Sequence, residues 1–428
     1  MLCLHVFLVV LATFAIPATN GAKVVCYYDG LSYYRDGLAR ADNITEAATL
    51  CDQLIYGYYK VNSDYGIETS FKYPYPKGAN AASDLKLINP NLKVLVSVGG
   101  GVPNRKTERS LNLLEDPERR TTFVHSVAKV IGDNNYDGVD LAWQWPETFE
   151  EKEKQHMDSG VLSFAKGLWS NVKEKFREET SVYREGYHAL VRELKATLKP
   201  TGKILSISSL PHVNTTAYYD LANLKDLADQ FVLHTYDYRS PQYFPKLADY
   251  AAPLHFKNAS HRSPADNIEA TVQKWLSAGV PAIPTFGRAW EIDNTVGDLT
   301  KMKVEPPYKA VDIAEMGTYT KTKGLLSYYE VCPHLSAFSL QKDANASIPA
   351  STLYNRVPDA EKRVGTYCFR LPGVEQGVWV SYEEPETAAV KAAFIKNKKL
   401  GGAAVVDISL DDFKGMCSGG SFPILKAI

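Results

Sequence analysis

The chain has 428 residues, a net charge of -1, 45% hydrophobic and 23% charged residues. This is ordinary globular composition, and the near-neutral balance removes the electrostatic reason to expect nucleic acid as a partner. The length fits one large α/β domain as well as two or three small ones, and the 26 Tyr and 6 Trp are assigned to cores first and to sugar- or protein-binding surfaces second.

The chain opens with an almost unbroken apolar run, Leu2 to Ile16, followed by Pro17 and the small-residue stretch 18–22. This reads as a signal peptide over 1–22, which implies a secreted, extracellular protein. The run is short for a membrane span, and no later stretch reaches about 18 apolar residues, so no span is expected. Cys3 leaves with the signal peptide, and Cys26, Cys51, Cys332, Cys368 and Cys417 remain. That odd number leaves at least one cysteine unpaired within the chain. None has CxxC spacing and the nine His are scattered, so no metal and no cofactor are expected. Asn43, Asn214, Asn258 and Asn345 each begin an N-glycosylation sequon.

From Lys23 onward, short apolar runs alternate with longer helix-like stretches. In order they are 24–28, 53–58, 94–98, 138–143, 204–208, 231–236, 280–286 and 403–408. Near-continuous apolar strands separated by helices predict a parallel sheet buried on both faces. Eight of them suggest a closed (β/α)8 TIM barrel. An open doubly wound sheet is the alternative on pattern alone, but Gly99-Gly100-Gly101 lacks the later glycine of its phosphate-binding fingerprint. Between the fourth and fifth strands, two apolar sets recur at helical spacing, from Val161 to Phe176 and from Tyr183 to Leu198. They predict an extended connection with one extra helix. The Pro- and Tyr-rich stretch 288–377 predicts a small α+β insertion between strands seven and eight, leaving 23–287 and 378–428 as the barrel.

The most informative segment is Asp137-Gly138-Val139-Asp140-Leu141-Ala142-Trp143-Gln144. On a strand, alternate residues share a face, so Asp140, Ala142 and Gln144 point together into the barrel and up to its mouth, and Trp143 points away. The segment resembles the DGxDxDxE signature of the family 18 glycoside hydrolases, the chitinases. Asp137, Gly138 and Asp140 match, whereas the third aspartate is Ala142 and the glutamate is Gln144. Ser97-Val98-Gly99-Gly100, Thr235-Tyr236-Asp237, Gly287-Arg288 and Asp411-Asp412-Phe413 resemble further motifs of that family. Gly287-Arg288-Ala289-Trp290, 325–330 and 379–383 resemble the insect imaginal disc growth factors, secreted chitinase-like proteins in which glutamine replaces the glutamate.

The resemblance implies a degenerate site with no catalytic residue. Active members protonate the leaving oxygen with the glutamate, and the substrate's own N-acetyl oxygen attacks. The aspartate at the position of Ala142 orients that group. Gln144 has no proton to give, and losing general acid catalysis typically removes about 10²–10⁴ in rate. Ala142 removes the electrostatic partner as well. The tryptophan that floors the sugar in active members aligns with Val406. Candidate sugar contacts are Tyr27, Trp143, Gln144, Tyr236 and Asp237, with core packing the alternative for Trp143 and a hydrogen-bonded structural role the alternative for Asp140.

A Cys26–Cys51 disulfide across the first crossover is the best reading. The resemblance implies Cys332–Cys417 as a second, leaving Cys368 buried and free. It also implies a monomeric, non-catalytic growth-promoting or extracellular-matrix factor whose partner is a cell-surface receptor or a chitin-like, N-acetylglucosamine-containing glycan. A chitooligosaccharide-binding lectin is the alternative. A hydrolase with a relocated acid, such as Glu291 or Glu305, has no residue pattern behind it.

Overall fold

The computed structural model describes residues 22–37, 39–70, 80–100, 108–146, 169–259, 261–275, 279–293, 304–335, 352–358, 365–373, 375–417 and 419–428. The signal-peptide segment and Asn345 lie outside the described residues.

Eight parallel strands form the centre: β1 (Lys23–Asp29), β2 (Gln53–Val61), β3 (Lys93–Val98), β4 (Gly138–Leu141), β5 (Ile204–Ser209), β6 (Gln230–Leu233), β7 (Gly279–Pro284) and β8 (Gly402–Val406). Each pairs with its sequence neighbour, and β1 pairs with both β2 and β8, so the sheet closes into a (β/α)8 barrel. Each of the eight apolar runs overlaps one of these strands. Period-two alternation divides them between two cores. Val25, Tyr27, Ile55, Leu95, Val232, Val280, Ala282, Ala404 and Val406 fill the interior. Cys26, Leu54, Val94, Val139, Leu141, Leu205 and Phe231 face outward into a second layer under the helices.

Helices join the strands. α1 (Thr45–Leu50) runs between β1 and β2. α2 (Pro117–Asp133) starts where the Asp116 side chain accepts from the Glu118 and Arg119 N–H groups and Pro117 occupies the first turn, where a missing N–H costs nothing. It buries Phe123, Val127 and Ile131. α3 (Trp169–Leu198) is a single helix of 30 residues that takes in the end of the first periodic set and all of the second. Tyr187, Leu190, Val191, Leu194 and Leu198 are buried, and Tyr183 is half-buried. Residues 147–168 lie outside the described residues. α4 (Ile268–Trp275) and α5 (Pro385–Asn397) complete the helices used below.

Between β7 and β8 stands a second, antiparallel sheet, in which Phe286–Ile292 pairs with Gly377–Tyr382, Leu325–Ser327 and Asp312–Ile313. The predicted run 280–286 is therefore divided. The barrel strand stops at Pro284, and Phe286 begins the second sheet. That sheet has its own core, where Trp290 and Trp379 meet at 5.6 Å and Tyr367 stacks on Trp379 at 5.0 Å.

Candidate functional site

The carboxyl ends of the strands converge on a small set of polar groups. Asp140 is fully buried inside the barrel and accepts from the Ser97 hydroxyl at 2.9 Å, the Ser208 hydroxyl at 2.8 Å and, more distantly, the Tyr27 hydroxyl at 3.4 Å. Tyr27 and Ser208 are themselves 2.7 Å apart. With Ser206, which also bonds Asp140, four strands supply one carboxylate and four hydroxyls. Burial raises the Asp140 pKa, and the hydrogen bonds from the serines and Tyr27 oppose it. Burial also pushes the Tyr27 phenol well above its ordinary value, so it stays an O–H donor. Beyond the end of β4, Ala142 is buried and apolar and Gln144 is half-buried.

The glycines beside the site are there for space. Gly99 has φ +100, and a Cβ there would lie 2.6 Å from the Ala142 carbonyl oxygen. A Cβ on Gly100 would lie 2.3 Å from the Tyr58 ring. Only glycines let the end of β3 pass this close to β4 and β2.

Several candidate residues are placed differently from expectation. Asp137 is not part of the site. It lies at the opposite, amino end of β4, where its carboxylate accepts from the Val94 N–H at 2.9 Å and pairs with Lys86 at 2.5 Å. Trp143 is not a sugar contact. It is 1% exposed and packs outward against Phe123, Tyr187 and Trp145. Strand alternation turns it away from the barrel's interior. Tyr27 is also sealed, its ring edge-on to His234 at 5.1 Å and its hydroxyl spent on Ser208 and Asp140. Neither ring offers a face to a sugar.

Tyr236 lies in the mouth, its ring edge against Phe286 and its hydroxyl 2.5 Å from His234 Nδ1. Burial holds the His234 pKa down at about 3, so the imidazole is neutral. Asp237 adopts a left-handed backbone, φ 58, that aspartate tolerates better than most side chains. Both its oxygens are taken by Arg288, Nε to Oδ1 at 2.6 Å and Nη2 to Oδ2 at 2.5 Å. In a planar two-point pair of this kind each oxygen accepts a guanidinium N–H, and the acid serves to hold the strand 286–292 against the barrel rim. Val406 lines the interior near the mouth.

Sequence reasoning missed a charged trio at the same mouth. Arg35 donates to Asp29 at 2.8 Å and to the Ser409 hydroxyl at 3.1 Å, and stands 3.9 Å from Asp407. Asp29 ends β1, and Asp407 directly follows Val406. Burial pushes the Asp407 carboxyl up to about 7, with Arg35 opposing and Asp29 adding to the rise. Asp29 is raised for the same first reason, again opposed by Arg35. Two buried carboxylates share one guanidinium, and no spacing in the sequence announces that.

Glu291 is five residues beyond Phe286 along the second sheet, about 17 Å at strand rise. Glu305 is exposed. Cys26–Cys51 and Cys332–Cys417 are bonded, with Cα separations of 6.0 and 5.9 Å, and Cys368 is free and buried. Cys332, Cys417 and Asp412 lie close together, but the two sulfurs are spent on each other, and Asp412 accepts from the Met416 and Cys417 N–H groups. Asn43 and Asn258 are exposed, whereas half-buried Asn214 caps a short helix through Ala217 N–H. No helix among the described residues is long and apolar enough to cross a membrane.

The sequence pattern of the glycosyl hydrolases family 18 matches residues 23–411. Chitinase-like protein EN03 of Bombyx mori is 38% identical over 96% of this chain and 95% of its own length. Imaginal disk growth factor 6 of Drosophila melanogaster is 34% identical over 96% and 94%. Among solved structures, human YKL-39, described as a pseudo-chitinase with retained chitooligosaccharide binding properties, superposes with a TM-score of 0.72 at 22% identity, covering 95% of this chain and 98% of its own.

Proposed function

The chain belongs to the glycosyl hydrolases family 18, alongside insect chitinase-like proteins and imaginal disc growth factors, and from that premise we propose that it is a secreted, catalytically inactive member acting as a growth-promoting or extracellular-matrix factor through a glycan or a cell-surface receptor. One observation carries the loss of catalysis. β4 carries Asp140, buried among Ser97, Ser208 and Tyr27, and the residues two and four positions further on, just beyond the strand's end, are Ala142 and Gln144, neither of them a carboxylate. A general acid must reach the leaving oxygen within hydrogen-bond distance. Asp140 is fully buried below the mouth, and Gln144 has no acidic proton. The sequence character of residues 1–22 supports secretion. The likeness to growth factors over nearly the whole chain supports the extracellular role.

The test is release of fluorophore from a chitobioside or chitotrioside by the purified protein, near pH 5 and pH 7. The expected result is no turnover above buffer. Sustained turnover that follows the protein through purification overturns the reading.

A second reading, a chitooligosaccharide-binding lectin, is favoured by Tyr236 in the mouth and by the chitooligosaccharide binding ascribed to YKL-39. Val406 in place of a flat ring, and Asp237 bound at both oxygens by Arg288, weigh against it. Calorimetric titration with N-acetylglucosamine oligomers separates the two. Saturable heat without cleavage supports the lectin, and no heat at millimolar sugar leaves the barrel as a scaffold for protein contacts.

A further inference from the structure

Beside the mouth lies a cleft of about 290 Å³, walled by the loop that leaves β5, the loop that leaves β6, and α4. Its size sits near the small end of ligand sites, which run roughly 300–1,000 Å³. Its lining reaches from Trp275 at the end of α4 to His234 and Tyr236.

Three of the lining residues carry a buried ring or guanidinium nitrogen with no hydrogen-bond partner among the described residues: His234 Nε2, Arg239 Nε and Trp275 Nε1. Buried polar groups are nearly always paired, and leaving one unpaired is costly. Arg239 and Trp275 can only donate. His234 donates from Nε2 when its Nδ1 accepts from the Tyr236 hydroxyl. No lining residue carries an unpaired buried acceptor. The charge balance leans the same way. Asp266 is paired with Arg239 at 3.3 Å, while Lys274 is exposed at the rim with no ion-pair partner among the described residues. A flat platform completes the cleft. The Tyr243 ring is 45% exposed and tilts over His212 at 4.0 Å.

We propose that this cleft binds an acidic sugar residue, a pyranose carrying a carboxylate or sulfate, with its ring against Tyr243 and its anionic group toward Lys274 and the unpaired donors. The unpaired buried side-chain atoms of the lining are all donors, and such a ring brings several acceptors together with a negative charge. The proposal is independent of whether the barrel mouth holds a neutral chitooligosaccharide.

The test is calorimetric titration of the full protein with glucuronic acid and with N-acetylglucosamine 6-sulfate, using N-acetylglucosamine as the neutral control. The expected result is saturable binding of at least one of the two anions, at least about tenfold tighter than the control. Tyr243→Ala and Lys274→Glu each weaken that binding by about tenfold or more. Both residues are exposed, so melting temperatures stay at the parent value and report that the variants are folded. No saturable binding of either anion, equal binding of the neutral sugar, or an affinity unchanged in either variant overturns the proposal. Chitooligosaccharide binding without anion binding overturns this inference alone and leaves the lectin reading standing.

Discussion

Asp140 holds hydroxyls together inside the barrel. Ser97 of β3, Tyr27 of β1 and Ser208 of β5 all donate to it, so it ties three strands to β4. Under the proposed reading, the missing chemistry is more than one residue deep. Gln144→Glu alone is expected to leave turnover at background, since nothing at position 142 orients the acetamide. The double variant Ala142→Asp/Gln144→Glu is expected to give measurable release from a chitotrioside, recovering part of the about 10²–10⁴ that general acid catalysis supplies. A rate equal to the single variant's would show that Val406 or the charged trio blocks the sugar outright. The trio also predicts a pH effect. The folded pKa of Asp407, about 7, lies above its unfolded value near 3.8, so the folded state binds the extra proton between the two. Its penalty is absent below the unfolded pKa, grows as pH rises, and is complete above about 7. Asp407→Asn removes the penalty, so the variant's melting temperature is expected to gain on the parent's from pH 4 to pH 8. A constant difference across that range would refute the assignment. At this scale the motif residues and their replacements were legible, because they are neighbours in sequence. Arg35, Asp29 and Asp407 were not, because the trio spans the first and last strands.

At the scale of elements, α5 is pinned by a charge its sequence does not advertise. Lys391 looks like a helix-surface cation, but its side chain is 2% exposed, and Nζ donates to the Ala252 carbonyl at 2.6 Å and pairs with Glu383. Thr387 donates to the other oxygen of Glu383. Removing one partner of a buried pair strands the other. Lys391→Met is therefore expected to cost about 3–5 kcal/mol in urea unfolding, and Lys391→Met/Glu383→Leu to recover most of that loss. A double variant as unstable as the single would contradict this account. The barrel strands were legible because alternation and burial on both faces mark them directly. The division of the run 280–286 was not. Both halves are apolar, and only pairing assigns Val280–Pro284 to the barrel and Phe286–Ile292 to the second sheet.

Across the whole molecule, two disulfides close loops of different length. Cys26–Cys51 spans 25 residues and joins the first crossover, and Cys332–Cys417 spans 85 and ties the second sheet's segment to the end of the barrel. Loop-closure entropy favours the longer bridge. Paired Cys→Ser replacement is expected to cost about 4–5 kcal/mol for Cys332/Cys417 and about 3–4 for Cys26/Cys51, measured by urea unfolding. The reverse order would mean that local contacts, and not chain entropy, dominate.

Period-two runs, helical spacing and the altered signature at the end of β4 are properties of neighbouring residues, and the sequence by itself determined the eight-stranded barrel and the glutamine on which the proposed loss of the acid rests. What only the tertiary structure decided depends on residues far apart in the chain. Asp237 takes its guanidinium from Arg288, 51 positions away. Asp137 proves to sit at the amino end of its strand, Trp143 packs into the outer core, and three residues lining one cleft each carry a buried donor without a partner among the described residues. Periodicity reports which face a side chain takes, but the partner on that face is set by how the closed sheet brings distant strands together.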